Sequence, residues 1–402
     1  MALTSHRPKK ALIIGCGIAG PATALFLQRA GIDSVVYEAE ERSDDYAGLF
    51  LNLARNGLQV LQQLGLDEEV RQAGMPVHSM KMVSGNGKLL GHIGQMSGEP
   101  RGYTIKRGTL QRILREAAER QGISIEHEKK LKGIGTNGPE GVKVSFEDGT
   151  LASGDILIGC DGIHSRVRRL VLPGAPAPSY TGLLSFGGFV QGSTVPFERG
   201  LQTMVFGKRA FFGYQVRPDG EVYWFGNMDY PGTPTRRDLQ QIPQAEWRKT
   251  MQGLYASDIA PVPEIVRATE DEIGVYPIYD MPPLPVWHVQ SVVLVGDSVH
   301  ATSPNAGQGA SLALEDALVL AQCLRDVPDV SRAFSEFQRL RHDRVERIVK
   351  YSRMIGRRKH ATNPVQVFFR DLMLPLFLKS ANKDTQGWLY DYQVDWSEKV
   401  PI

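Results

Sequence analysis

Three stretches of this chain combine residue types that could do chemistry. The first is "GCGIAG", Gly15 to Gly20. Gly15 permits a tight turn, Gly17 lets backbone approach a pyrophosphate, and Gly20 lets a helix pack closely on a strand. Ile18 and Ala19 open that helix, whose free N–H groups and positive dipole end suit an anion. Glu38 stands eighteen residues after Gly20, near the offset of an acid that binds a ribose hydroxyl. The second stretch is "GCDGIHSRVR" (159–168), where Asp161 and Gly162 sit at a strand end and Arg166 and Arg168 follow. The third is "GDSVHATSPNAGQGASLALEDA" (296–317), with a lone carboxylate, Asp297, and a loop of Pro304, Gly307 and Gly309 before a helix.

The elements that must position these residues are legible. "KKALIIGCGIAGPATALFLQRAGIDSVVYEA" (9–39) reads as strand, tight turn, helix, strand, the first strand apolar throughout as one buried on both faces should be. "RGTLQRILREAAERQG" (107–122) has helical apolar spacing and a glycine stop. "VKVSFEDGT" (142–150) alternates and turns at Asp148-Gly149, and "LASGDILIGCDG" (151–162) is a further apolar strand. Residues 180–230 are short, aromatic β-like runs, and 235–266 return to helical patterns. From 291 the chain reads strand, loop, long helix, then helices to about 380. A nucleotide-type pattern is thus split into three pieces by an aromatic sheet.

The first piece implies an adenine dinucleotide without saying which. The third suggests a flavin: a strand-end carboxylate such as Asp297 can accept hydrogen bonds from ribityl hydroxyls. A helix start at 307–312 could aim N–H groups at the anionic edge of reduced flavin. Taken singly, the second and third pieces also read as an ordinary strand turn and a helix cap.

Composition narrows the classes. The 402 residues are 42% hydrophobic and 22% charged with a net charge of +2, an ordinary globular balance without the basic stripe of a nucleic-acid binder. "GRRKH" (356–360) reads as a solvated helix end. The three cysteines, Cys16, Cys160 and Cys323, lack disulfide or zinc-ligand spacing, which suits a reducing, cytoplasmic setting, and no metal site is expected. No run approaches the roughly 18 apolar residues of a membrane span. "VQVFFRDLMLPLFLK" (365–379) reads as a packed helix, kinked or restarted at Pro375.

Together, "GCGIAG", "CDG" and "GDSVHATSPNAGQG" resemble, over about residues 9–360, the class A flavoprotein monooxygenases of the para-hydroxybenzoate hydroxylase fold. The chain is most similar to small bacterial branches such as the urate hydroxylases and the tetracycline-inactivating monooxygenases. The resemblance implies an α/β architecture: a Rossmann-like FAD-binding domain, an inserted antiparallel β-sheet substrate domain and C-terminal helices. The boundaries it suggests are 9–75, 101–179 and 285–330 for FAD, 76–100 and 180–284 for substrate, and 331–402 for the helices. It implies FAD contacts at Gly15, Gly17, Ile18, Ala19, Gly20, Glu38, Ala39, Asn52, Arg107, Leu131, Asp161, Gly162, Asp297, Pro304, Gly307, Gln308, Gly309 and Ala310.

The resemblance also implies the reaction. NADPH or NADH, bound transiently, reduces the flavin, and O2 then gives a flavin C4a-hydroperoxide that hydroxylates an aromatic or polycyclic small molecule. Alternatives on the same fold are a flavin-dependent oxidase or reductase and a non-catalytic redox sensor. No nucleic-acid partner and no stable membrane insertion are expected; a monomer or weak homodimer is. The aromatic sheet would roof the substrate, with Phe186, Phe189, Phe206, Phe211, Phe212, Tyr214, Tyr223, Trp224 and Phe225 as lining and some of them simply core. Arg209, in "FGKRAFFGYQV", is either a solvated hairpin tip or a cation facing flavin and substrate, with Tyr223 as its hydrogen-bonding companion; these two are the candidate catalytic residues.

Overall fold

In the computed structural model the described residues are 8–41, 48–94, 98–138, 141–359, 364–381 and 387–401. The apolar run Lys10–Ile14 forms the middle of a six-stranded sheet. Strand Asp33–Tyr37 lies on one side of it and Ile156–Gly159 on the other, both parallel to it. Ser124–Glu126 extends one edge, and Val292–Leu294 followed by His288–Val289 extends the other. Neighbours in this sheet therefore come from chain segments far apart in sequence.

Helix Ala19–Arg29 packs on helix Gly309–Asp326, and both are buried along nearly their whole length. The second is rich in Ala and Leu, strong helix formers, and is buried on all sides, its acid pair Glu315 and Asp316 included. A three-stranded antiparallel sheet, Leu131–Gly138, Gly141–Phe146 and Leu151–Gly154, contains the Asp148-Gly149 turn. A small sheet of Phe50–Ala54, Met75–Val77 and Gly102–Lys106 bridges toward the large aromatic sheet.

That aromatic sheet has seven strands, ordered Gly274–Asp280, Ser179–Val190, Val222–Asp229, Phe211–Val216, Leu201–Phe206, Ser79–Ser84 and Leu89–Gly94. It is not purely antiparallel. Ser79–Ser84 enters from an earlier part of the chain and runs parallel to Leu201–Phe206. Strand alternation splits its aromatics between two faces. Phe186, Phe212 and Trp224 join Trp247, Met251 and Tyr255 in a core beneath helices Gln244–Tyr255 and Val262–Arg267. Trp224 stacks on Phe212 at 5.3 Å and donates to Thr269 Oγ1 at 3.0 Å. Tyr214 packs against the same core. These four are framework, packed on the helix-covered face of the sheet. Phe189, Phe206, Phe211, Tyr223 and Phe225 occupy the opposite face, where Phe50 contacts Phe189, Tyr223 and Phe225.

The helix Pro364–Ala381 runs through Pro375. It is less packed than its apolar sequence suggests. Val365, Phe368, Phe369, Leu372 and Met373 are all more than half exposed, because the helix meets the sheet through Arg370 and Leu374. The side chains at 357–360, within "GRRKH", lie outside the described residues. Among the described residues no helix is long and apolar enough to cross a membrane.

Candidate active site

The glycine turn is built to bring three elements together. Gly15 has φ +105°, and a Cβ there would lie 2.5 Å from the Cys160 carbonyl oxygen and 3.0 Å from Asp161 Cα. Only glycine allows both that backbone and that approach. A Cβ on Gly20 would lie 2.0 Å from the Gly15 carbonyl oxygen, so the helix start sits directly on the turn. At Gly17 the nearest atom to such a Cβ is Gln111 Nε2 at 3.9 Å, which leaves that backbone open to a ligand. Ile18 and Ala19 follow at the helix N-terminus.

Glu38 clasps the turn from the next strand. Its Oε2 accepts from the Cys16 N–H at 2.7 Å and its Oε1 from the Glu40 N–H at 3.1 Å, while Ala39 beside it is exposed. The Cys16 thiol is pushed up to about 12 by burial and by Glu38, so it is no ready nucleophile. Cys160 is buried, and its thiol is likewise raised by burial.

The Asp161 carboxylate turns away from the glycine turn. It accepts from Ser165 Oγ at 2.6 Å, Arg166 N at 2.7 Å and Val167 N at 3.0 Å, anchoring the short helix Arg166–Val171. Burial pushes this carboxyl up, against the pull of those donors. What Asp161 offers the groove is backbone, and Gly162 follows with φ +75°. Leu131 is a core side chain paired with Phe146, so only its backbone can serve a ligand. Arg107 opens helix Arg107–Arg120; it is exposed, and its guanidinium makes no hydrogen bond or ion pair among the described residues.

Asp297 is placed differently from every acid around it. It is exposed although residues 291–296 and 298–300 are all buried, and its carboxylate has no partner among the described residues. Gly296 before it has φ +64°, and a Cβ there would meet Ala313 at 3.2 Å and Ala19 at 3.5 Å. The Asp297 corner is thereby pinned beside the start of the first helix. Pro304–Ala306 make one 3₁₀ turn, Gly307 turns left-handed at φ +62°, and helix Gly309–Asp326 begins at Gly309 and Ala310. A Cβ on Gly307 would stand 3.8 Å from Asn52 Cβ. Asn52 Oδ1 accepts from Thr104 Oγ1 at 2.8 Å, and its amide reaches Gln202 on the large sheet at 3.2 Å. A groove thus runs from an open glycine turn, past an unpaired carboxylate, to a second open glycine turn. Those donors and acceptors fit the phosphates and hydroxyls of a flavin dinucleotide.

An ionic cluster that the sequence reading passed over lies beneath this groove. Asp316 accepts from the Gly296 N–H at 3.0 Å, touches His300 Nε2 at 2.6 Å and accepts from Arg341 Nε at 2.8 Å. Glu315 accepts from Asn56 at 2.6 Å and from Arg344 at 2.8 Å, and Arg341 Nη2 lies 2.6 Å away at an angle too oblique for a hydrogen bond. Asn56 also donates to Gln308 Oε1 at 2.9 Å. Burial alone would raise both carboxyls; His300 and Arg341 hold Asp316 below the usual range, and Arg341 and Arg344 do the same for Glu315. The signal for this cluster was an acid pair inside the otherwise apolar "SLALEDALVLAQCL".

Beyond Asn305 a narrow cleft reaches the aromatic sheet, lined by residues that include Arg209, Phe211, Asn227, Asn305, Gly356 and Arg370. Arg209 is exposed and donates to the Gly253 carbonyl at 3.2 Å, as at a solvated hairpin tip, and it also lines this cleft. Tyr223 is not its companion. Phe211 pairs with Asn227 whereas Gln215 pairs with Tyr223, which puts the two sites about 13 Å apart along the strands. The Tyr223 hydroxyl faces Arg217 at 3.5 Å, pushed up to about 12 by burial and Glu221, and its ring lies under Lys106 Nζ. Neighbouring strands share registers, not ends, and "GKR" belongs to the far end of this hairpin.

The model of the FAD binding domain family matches residues 9–352. An FAD-dependent urate hydroxylase of Klebsiella pneumoniae is 30% identical over 354 residues, 86% of this chain and 88% of that protein. The aurachin C monooxygenase/isomerase of Stigmatella aurantiaca is 29% identical, covering 90% of this chain and 93% of its own. The crystal structure of Klebsiella pneumoniae HpxO complexed with FAD and uric acid superposes with a TM-score of 0.79 at 26% identity, covering 95% of each chain. The chain thus belongs to the FAD binding domain family and is an FAD-dependent monooxygenase of the class A fold.

Proposed function

We propose that this enzyme hydroxylates an aromatic or polycyclic small molecule, using NADPH or NADH as a transient reductant and O2 as co-substrate. The observation that carries the proposal is the cleft itself: it joins the second glycine turn, at Asn305, to the aromatic face of the sheet. A flavin seated on that turn would meet a flat substrate beside Phe211. Relatives named for urate and aurachin C support a small-molecule substrate.

In this reading Gly15, Gly17, Ile18, Ala19 and Gly20 hold the pyrophosphate, and Glu38 and Ala39 the adenosine ribose. Asp297 takes the ribityl hydroxyls. Pro304, Gly307, Gln308, Gly309 and Ala310, with Asn52, border the flavin ring; Arg107, Gly162 and the backbone of Leu131 and Asp161 complete the groove. Bound and reduced FAD supplies activation of O2 for oxygen transfer. The chain's own residues exclude water, orient the substrate and place N–H groups where negative charge develops.

A panel of aromatic metabolites, screened for faster NAD(P)H oxidation and a product heavier by one oxygen atom, tests the reaction. NAD(P)H consumption with no oxygenated product from any compound would favour an oxidase. The purified protein should be yellow, and acid precipitation should leave all its flavin in the supernatant; flavin in the pellet would mean a covalent link this reading excludes. Arg209→Gln should keep FAD, lower product formation roughly tenfold, the scale of one charge-assisted hydrogen bond, and raise the hydrogen peroxide released per NAD(P)H. Unchanged coupling would leave Arg209 as a brace on the Gly253 carbonyl alone.

A further inference from the structure

One side of helix Pro364–Ala381 is apolar and uncovered. Val365, Phe368, Phe369, Leu372 and Met373 are each more than half exposed. Their spacing of three and four residues lines them up as one stripe along the helix. The other side of the helix is fixed. Leu374 packs against the cluster of Met82, Leu90, Phe206 and Phe211, and Arg370 donates to the Phe206 carbonyl at 2.8 Å and the Gly207 carbonyl at 3.1 Å. The stripe is thereby held facing outward. A contiguous row of Phe, Leu and Met kept in water marks a surface that binds something.

Charge and area select the occupant. From Arg357 to Lys383 the sequence carries six cations, Arg357, Arg358, Lys359, Arg370, Lys379 and Lys383, and one acid, Asp371. That acid pairs with Arg370 at 2.9 Å, which leaves the five cations that flank the stripe in the chain without an acid among them. An apolar stripe between basic flanks suits the interface of an anionic bilayer, where the stripe enters the acyl boundary and the cations meet the headgroups. A second copy of this chain fits worse. Five such side chains would bury roughly 300–600 Å², short of the ~800 Å² per partner of a stable dimer, and two copies would bring like charges together. The helix is also no span, since Arg370 in its middle is tied to the sheet. We infer that this stripe docks the protein, reversibly and with the helix in the membrane plane, on an anionic lipid surface. This goes beyond the hydroxylase reading and does not depend on it.

Flotation of the full-length holoenzyme tests it, with vesicles of phosphatidylcholine alone and of equal parts phosphatidylcholine and phosphatidylglycerol. Wild type should rise with the anionic vesicles and not with the neutral ones, and raised salt should release it. Two double variants, Phe368→Ser with Leu372→Ser and Phe369→Ser with Met373→Ser, should keep FAD. Each should bind the anionic vesicles at least tenfold more weakly, the scale of two apolar side chains no longer buried. Wild type that rises with neither kind of vesicle, or equally with both, overturns the inference, as do two variants that bind within twofold of wild type. Wild type that sediments as a dimer while both variants sediment as monomers assigns the stripe to a second copy and overturns it as well.

Discussion

Arg341→Met will destabilise the holoenzyme by about 3–5 kcal/mol, the cost of removing one member of a buried ionic cluster and leaving its partners charged. Arg341 is fully buried, between Glu315 at 1% exposure and Asp316 at 0%. Methionine fills similar volume, so the loss comes from two stranded carboxylates and not from a cavity. Chemical denaturation of the two holoproteins measures it; a difference under about 1 kcal/mol would show that His300 and Arg344 suffice.

The same cluster sets an acid limit. Both carboxyls are held below their ordinary values in the folded protein. Their stabilisation is complete above the unfolded-state values and is lost as pH falls through the folded ones, below about pH 4. Without Arg341 both folded values rise toward or past the unfolded ones, so the variant should lose less stability than wild type as pH falls, and the gap between the two should narrow in acid. Parallel acid limbs in the two denaturation profiles would contradict this.

Asp297→Ala should weaken FAD binding roughly ten- to hundredfold with the fold intact, matching on the order of 1.5–3 kcal/mol for hydrogen bonds to a charged group. The fold should survive because the carboxylate supports nothing else: it is exposed and unpaired, while the Gly296 N–H is held by Asp316. Flavin retained after gel filtration and re-titrated at low micromolar FAD reads the effect. Equal occupancy in variant and wild type would remove Asp297 from the cofactor site.

The glycine turns were legible because their constraint is local. Gly15 and Gly20 are required by contacts with a turn a few residues away or with the strand beside it, and that requirement leaves a spacing in the sequence. Asp297 was legible for a similar reason, as an acid at the exit of an apolar strand. Asp161 was read correctly as a strand-end residue, but its carboxylate caps its own helix, a choice of rotamer that spacing does not encode. The separation of Arg209 from Tyr223 depends on strand register, which is fixed across the sheet. The apolar helix Pro364–Ala381 has the composition of a packed element, yet whether an apolar face is covered depends on partners elsewhere.

The six-stranded sheet also carries a timetable. Strand Lys10–Ile14 is made well before its neighbour Ile156–Gly159, which in turn waits for Val292–Leu294, and helix Ala19–Arg29 waits for helix Gly309–Asp326. At about 5–20 residues per second, a ribosome needs some tens of seconds to deliver those later pieces. During that interval the glycine turn already exists as sequence but has no floor beneath it and no acid corner opposite. Such long-range pairing forms slowly, and the apolar strands stay open to chaperones meanwhile. The dinucleotide groove is therefore finished only once residues 292–326 have been made, and until then the nascent chain is without its complete cofactor site.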